Sequence, residues 1–500
     1  MDNQNQVDHN NKKKGRQAVE RQTRDGGRLF ASGKAEQPAP AGAKPEKKQG
    51  QKGQEGGAAG GGEAAQERSL GSICENMSPF ESRQKAAQEL KQRFDSFYAR
   101  YRLQRTIGRI ISYPGWDDEK EKVERAEGKI PRICLCLKAP QDRSRNGDGS
   151  AKVWLREGAD FGHYGGLQTC GSVWVCPICA PKITEKRAIE INECCQKWVS
   201  ENPENSMLMV TYTIPHKHHM RLAELVDKYK VARREMRRQG KLKRRPWLVT
   251  WKEIREKYRI KWSVYCLEVN YGYNGWHPHT HDLYLIEGGR GYKENDIESL
   301  RVKLTETWLY ACKKAKIEIQ DQNSFEKHAV QIEVAKTPAD YIAKWGLDDY
   351  GEHKEMASGV WGAAQEMAKA HLKKGRSEHY SAWDLARMVS DNPGNKVIFK
   401  FFGSRFREFA QAMKGSHQIQ FEDGMKKYFG ISKITDEEIA ADEMREESVL
   451  MGVLKHFEWK KVCEKGSRAH VLVLAGKMSW DDVLKYVENL FEQERVRVPA

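Results

Sequence analysis

The chain has 500 residues, 39% of them hydrophobic, a formal net charge of +16 and a mean hydropathy of −0.80. Its length allows several domains with cores of their own, and the excess of Lys and Arg points to a polyanionic partner, nucleic acid before an anionic membrane surface. No apolar run is long enough to span a bilayer and no signal-peptide core is present, so a cytoplasmic protein without a membrane role is expected, its 11 cysteines serving as thiols or metal ligands rather than disulfides.

Residues 1–72 are rich in Gly, Gln, Lys, Glu and Ala and nearly free of aromatic and β-branched residues, the composition of a disordered polar tail. Residues 73–200 read as a helical, Cys-rich region. A helical apolar period covers 78–104, Ile133–Leu137 and Ala151–Leu155 read as short strands, and 182–198 reads as a helix. Between them lies TCGSVWVCPICAPKI, in which Cys170, Cys176 and Cys179 have the spacing of a structural zinc knuckle. A tetrahedral site needs a fourth ligand, and RICLCLK supplies Cys134 or Cys136, with Cys136 taken and His163 behind them. Cys194 and Cys195 are expected in a core, and Cys74, Cys266, Cys312 and Cys463 have no ligand spacing.

The third region, 205–350, opens on the strand Met207–Ile214, after which His216, His218 and His219 are expected at the surface. A strongly basic segment follows from 217 to 261, helical up to Gly240. It suits a solvated helix face, or phosphate contact and base stacking with Trp247, Trp251 and Trp262. Ser263–Asn270 alternates as a strand does, Asn274-Gly275 signals a tight hairpin, and WHPHTH leads into a second strand. On that strand His277, His279 and His281 share a face. A turn made of Asn274 and Gly275 sets Glu268 opposite His281. Glu268, His279 and His281 then form a carboxylate and imidazole cluster suited to Mg²⁺ or Mn²⁺, with His277 at its edge.

A helix over 294–314 and a strand over 329–334 complete an α+β order with a mainly antiparallel sheet. In TPADYIAKWG, Thr337 and Pro338 start a helix on which Tyr341 and Lys344 share a face. A phenol of ordinary pKa near 10 is a weak nucleophile, but a metal-polarised phosphate and a nearby ammonium make it useful. Residues 351–434 read as a helical basic DNA-binding region, and 435–500 as a small α/β region around a VLVLAG strand. No P-loop is present, so no built-in helicase is expected.

Taken in order, CGSVWVCPIC, VTYTIPH, GWHPHTHDLYLI, DYIAKWG and HLKKGR followed by YSAWDLARM resemble the rolling-circle plasmid replication initiators of the HUH endonuclease superfamily, over about 130–430. The resemblance implies an antiparallel sheet similar to the RNA-recognition motif with helices behind it. It implies the metal pair His279 and His281, the acid Glu268, and Tyr341 as the nucleophile that nicks origin DNA through a 5′-phosphotyrosyl intermediate. DNA, with host helicase and polymerase, are the implied partners. Two departures stand out: Thr280 occupies the usually bulky apolar position between the histidines, and Thr337 stands where some relatives carry a water-activating Glu. An HUH-type transposase and a non-catalytic zinc-containing DNA-binding regulator are the competing readings.

Overall fold

The computed structural model describes residues 79–495, apart from 113–114, 118–121, 125–129, 142–148, 239–248, 335–378 and 444–446. Its strands, in chain order, are β1 (Gly115–Asp117), β2 (Lys122–Glu124), β3 (Ala151–Arg156), β4 (His163–Gly165), β5 (Ser206–Thr213), β6 (Ile260–Gly272), β7 (Gly275–Ile286), β8 (Val330–Val334), β9 (Tyr380–Ser381), β10 (Ile419–Phe421) and β11 (Ser448–Leu454). The central sheet has the order β10-β6-β7-β5-β8, with β9 also paired to β6, and every pairing is antiparallel. The expected α+β class with an antiparallel sheet is therefore what the chain forms.

Alternation along β5, β6 and β7 gives this sheet two different faces. Leu208, Val210 and Tyr212 of β5, with Leu267, Val269, Tyr284 and Ile286, bury one face against the helices Leu222–Arg237 and Glu294–Lys314. The opposite face is divided along its length. Met207, Met209, Val264, Leu283 and Leu285 are covered by Ala188, Ile191, Cys194, Cys195 and Trp198 of the helix Cys179–Glu201. The histidines lie on the continuation of that same face.

A second sheet, β11-β3-β4, joins the Cys-rich region to the end of the chain. Its core gathers Val153 and Tyr164 with Val471, Leu472, Val483 and Val487. The helix Pro79–Ser112 sends Phe97 and Tyr101 into this core, and Leu103, Ile107 and Ile110 into the core of the central sheet.

Two expected strands are helices. VLVLAG lies within the helix Arg468–Lys477, and the strand of that region is Ser448–Leu454 instead. A continuous apolar run has no period that separates a buried strand from a buried helix; here Val471, Leu472, Val473 and Ala475 all find cover in the helical form. The piece around Ile133 is a short helical turn, Arg132–Leu135, whose carbonyls are claimed by a partner distant in sequence: the Gln104 amide donates to Cys136 O at 2.9 Å and to Ile133 O at 3.4 Å. Trp251 is buried against Tyr284 and offers no surface platform for bases, whereas Trp262 is half-buried and packs on Tyr428 and Phe429. Trp247 lies outside the described residues.

Candidate metal centres

β6 and β7 meet as a hairpin whose register sets Gly272 opposite Gly275, Glu268 opposite His279 and Cys266 opposite His281. The turn residues are thus Tyr273 and Asn274, one step earlier than the Asn274-Gly275 reading. Gly275 alone takes the left-handed backbone, with φ 86°, while Asn274 does not. A turn followed by a left-handed glycine replaces the expected turn with two left-handed residues. The pairing moves by two residues on the partner strand, which leaves the faces unchanged. Glu268, His279 and His281 still share one.

Their ligand atoms lie within 4.8 Å of one another. Glu268 Oε2 stands 3.8 Å from His279 Nε2 and 3.5 Å from His281 Nε2, and all three side chains are largely buried. Each partner is held from behind. His279 Nδ1 faces the His277 carbonyl at 3.3 Å, an acceptor that requires the proton on Nδ1 and leaves the Nε2 lone pair for a cation. His281 Nδ1 meets Thr211 Oγ1 of β5 at 3.0 Å, and the Asn270 amide donates to Glu268 Oε1 at 3.2 Å. One carboxylate and two imidazoles facing a common point suit a divalent cation that keeps positions open for substrate.

His277 stacks on His216, with ring centroids 4.7 Å apart, and follows His279 at 4.9 Å. Burial, then the neighbouring His279, pushes its pKa down to about 3, so it is neutral at ordinary pH. His216 is accordingly half-buried rather than at the surface, whereas His218 and His219 are exposed. Asn270 carried no motif, and Thr211 and His216, though within VTYTIPH, carried no expected role at the site; strand pairing and packing bring all three to the cluster.

The second centre is a set of four thiols, Cys136, Cys170, Cys176 and Cys179, again within 4.8 Å of one another and all buried. Sulfur separations are 3.5 Å for Cys136–Cys179, 3.6 Å for Cys136–Cys176 and 3.8 Å for Cys170–Cys179. A tetrahedron with metal–sulfur bonds of about 2.3 Å has edges of about 3.8 Å, so these thiols fit Zn²⁺. Contacts from Cys136, Cys170 and Cys176 hold Cys179 well below the usual thiol range, while burial pushes Cys176 up. Cys134 turns instead to Gly108 O and Ser112, and His163 Nε2 meets Glu443 O at 2.8 Å. Cys194 and Cys195 are core residues, as expected. Tyr341 and Lys344 lie outside the described residues.

The chain is 25% identical over 306 residues to "Protein rep" of Streptomyces lividans, an alignment covering 53% of this chain and 64% of that protein. It is 29% identical over 148 residues to "Neomycin resistance protein" of Streptomyces cyanogenus, covering 26% of this chain and 33% of the relative. The chain thus spans somewhat under two thirds of the first relative's length and a third of the second's. No family model and no solved structure matches it. The similarity to Protein rep supports the resemblance to plasmid replication initiators. Among the described residues no helix is long and apolar enough to cross a membrane.

Proposed function

We propose that this chain initiates rolling-circle replication of a plasmid, as a metal-dependent endonuclease of the HUH type that nicks one strand at an origin. The observation that carries the reading is the convergence of Glu268 Oε2 with the Nε2 atoms of His279 and His281 on one face of a hairpin. The antiparallel order β10-β6-β7-β5-β8, with the histidine strand in the middle, supports a core similar to the RNA-recognition motif. Similarity to Protein rep supports the replication role.

Glu268, His279 and His281 hold the cation, Mg²⁺ or Mn²⁺. When bound, it supplies charge neutralisation at the scissile phosphate. The Tyr341 oxygen attacks phosphorus as its proton passes to solvent, the bond from phosphorus to the 3′ oxygen breaks, that oxygen takes up a proton from solvent, and a 5′-phosphotyrosyl linkage remains with a free 3′-hydroxyl to prime the host polymerase. Lys344 steadies the phosphate or the phenolate. Because the linkage retains the phosphodiester energy, rejoining needs no nucleotide cofactor. Zn²⁺ on Cys136, Cys170, Cys176 and Cys179 has a structural role, and the basic segments dock origin DNA, with a host helicase opening the duplex.

The test is covalent capture. The protein is incubated with Mn²⁺ or Mg²⁺ and labelled single-stranded DNA tiled across the replicon carrying its gene. A denaturation-resistant adduct is expected, lost in Tyr341→Phe and in the pair His279→Ala with His281→Ala. An adduct persisting in Tyr341→Phe removes the nucleophile assignment, and no adduct with any tile favours the DNA-binding regulator. A coding region lying between mobile-element ends rather than on a small circular replicon favours the transposase.

A further inference from the structure

Thr280 and Asp282 alternate with the histidines along β7, so their side chains pass to the helix-covered side of the sheet. There they enter a buried polar cluster that the metal face does not use. Arg233, from the helix Leu222–Arg237, donates through Nη1 to Thr280 Oγ1 and to Asp282 Oδ1, and through Nη2 to Asp282 Oδ2, each at 2.8 Å. The Thr280 hydroxyl donates to Asp282 Oδ1 at 2.9 Å, and Tyr229 OH lies 2.8 Å from Thr280 Oγ1. Arg237 reaches Asp282 Oδ2 at 3.1 Å. Thr280 and Asp282 are each 1% exposed.

Such a cluster is weak evidence for added stability. Buried ion pairs repay their desolvation poorly, and apolar residues of similar volume often serve as well; their best-attested use is to specify register. The cluster has the connections for that. Asp282 is opposite Tyr265 across the β6–β7 pair, and the Arg233 guanidinium lies 4.2 Å from the Tyr265 ring centroid. Helix, β7 and β6 are thus tied at one point. In a hairpin built on an Asn274-Gly275 turn, Asp282 would face Leu267 instead, and Glu268 would face His281. The faces would be the same and the ligand positions different.

We propose that Thr280, Asp282 and Arg233 form a polar clamp that positions His279 and His281 against Glu268 by selecting this register. The clamp residues touch neither cation nor DNA. The inference rests on the metal reading of the proposed function.

The test uses the full chain with Zn²⁺ retained. Thr280→Val keeps the β-branched shape and removes the hydroxyl, and Thr280→Ser restores the hydroxyl. Mn²⁺ binding is followed by electron paramagnetic resonance, and backbone hydrogen exchange of residues 277–283 is followed without added Mn²⁺. Thr280→Val is expected to weaken Mn²⁺ binding about tenfold, the scale set by loss of one buried hydrogen bond from the register-holding cluster, and to speed exchange in that strand by a similar factor, with Thr280→Ser restoring both. Unchanged exchange in Thr280→Val, or no restoration by serine, overturns the clamp. If the unaltered chain binds no Mn²⁺ that His279→Ala with His281→Ala removes, the metal reading falls, and exchange still decides the clamp.

Discussion

Two neighbouring cysteines show how much one residue's surroundings decide. Cys134 and Cys136 sit in the same short segment, yet only Cys136 joins Cys170, Cys176 and Cys179. Behind it, the Gln104 amide donates to Cys136 O, and Arg468 donates to Gln104 Oε1 at 2.8 Å and to Leu137 O at 3.0 Å. These contacts hold the turn that aims the Cys136 thiol inward. Replacing Cys136 with Ser is expected to weaken Zn²⁺ retention under chelator competition by more than the roughly 10–100-fold typical of a residue behind a ligand. Cys134→Ser should leave it unchanged. Zinc content after dialysis against a chelator reads both, and equal loss in the two variants would remove Cys136 as the fourth ligand. The basic segment makes the same point, since Arg233 is buried on Asp282 while Arg234 beside it is exposed. Composition cannot separate an arginine that serves the fold from one free for phosphate.

Among the elements, the β6–β7 hairpin places the candidate site, and its turn depends on Gly275. A Cβ there would stand 2.7 Å from His218 Cα, on a backbone whose φ of 86° disfavours any side chain. Gly275→Ala should therefore destabilise the chain by about 1–3 kcal/mol, visible as a lower urea midpoint at unchanged slope. An unaltered midpoint would mean that the turn relaxes freely. The hairpin, its strands and the face shared by Glu268, His279 and His281 were legible because period two and Asn-Gly are local signals. The two-residue shift in pairing was not legible. It keeps every side chain on its face, so the hydrophobic pattern is blind to it, and the choice falls to the turn and to contacts with the helix Leu222–Arg237.

On the scale of the molecule, the four-cysteine centre ties together segments that build different cores. Cys136 follows the helix Pro79–Ser112, and Cys179 begins the helix that covers the sheet beside the histidines. That helix is anchored again by Glu190, which is 1% exposed and pairs with Arg187 at 2.8 Å and Lys426 at 2.7 Å. Stripping Zn²⁺ should lower the melting temperature by on the order of 5 °C or more, with backbone hydrogen exchange of residues 179–201 reporting the loosened helix; no change in either would show that thiol packing alone suffices. The sequence by itself determined the composition class, the α+β order, the three knuckle cysteines and the histidine face, because each rests on spacing within a few residues. Only the tertiary structure decided that VLVLAG is a helix, that β11 completes a sheet with β3 and β4, and that Thr211, Asn270, His216 and the Arg233–Asp282 pair surround the histidine strand. Those outcomes depend on which distant segment offers cover or a hydrogen-bond partner, and that information is spread over the whole chain.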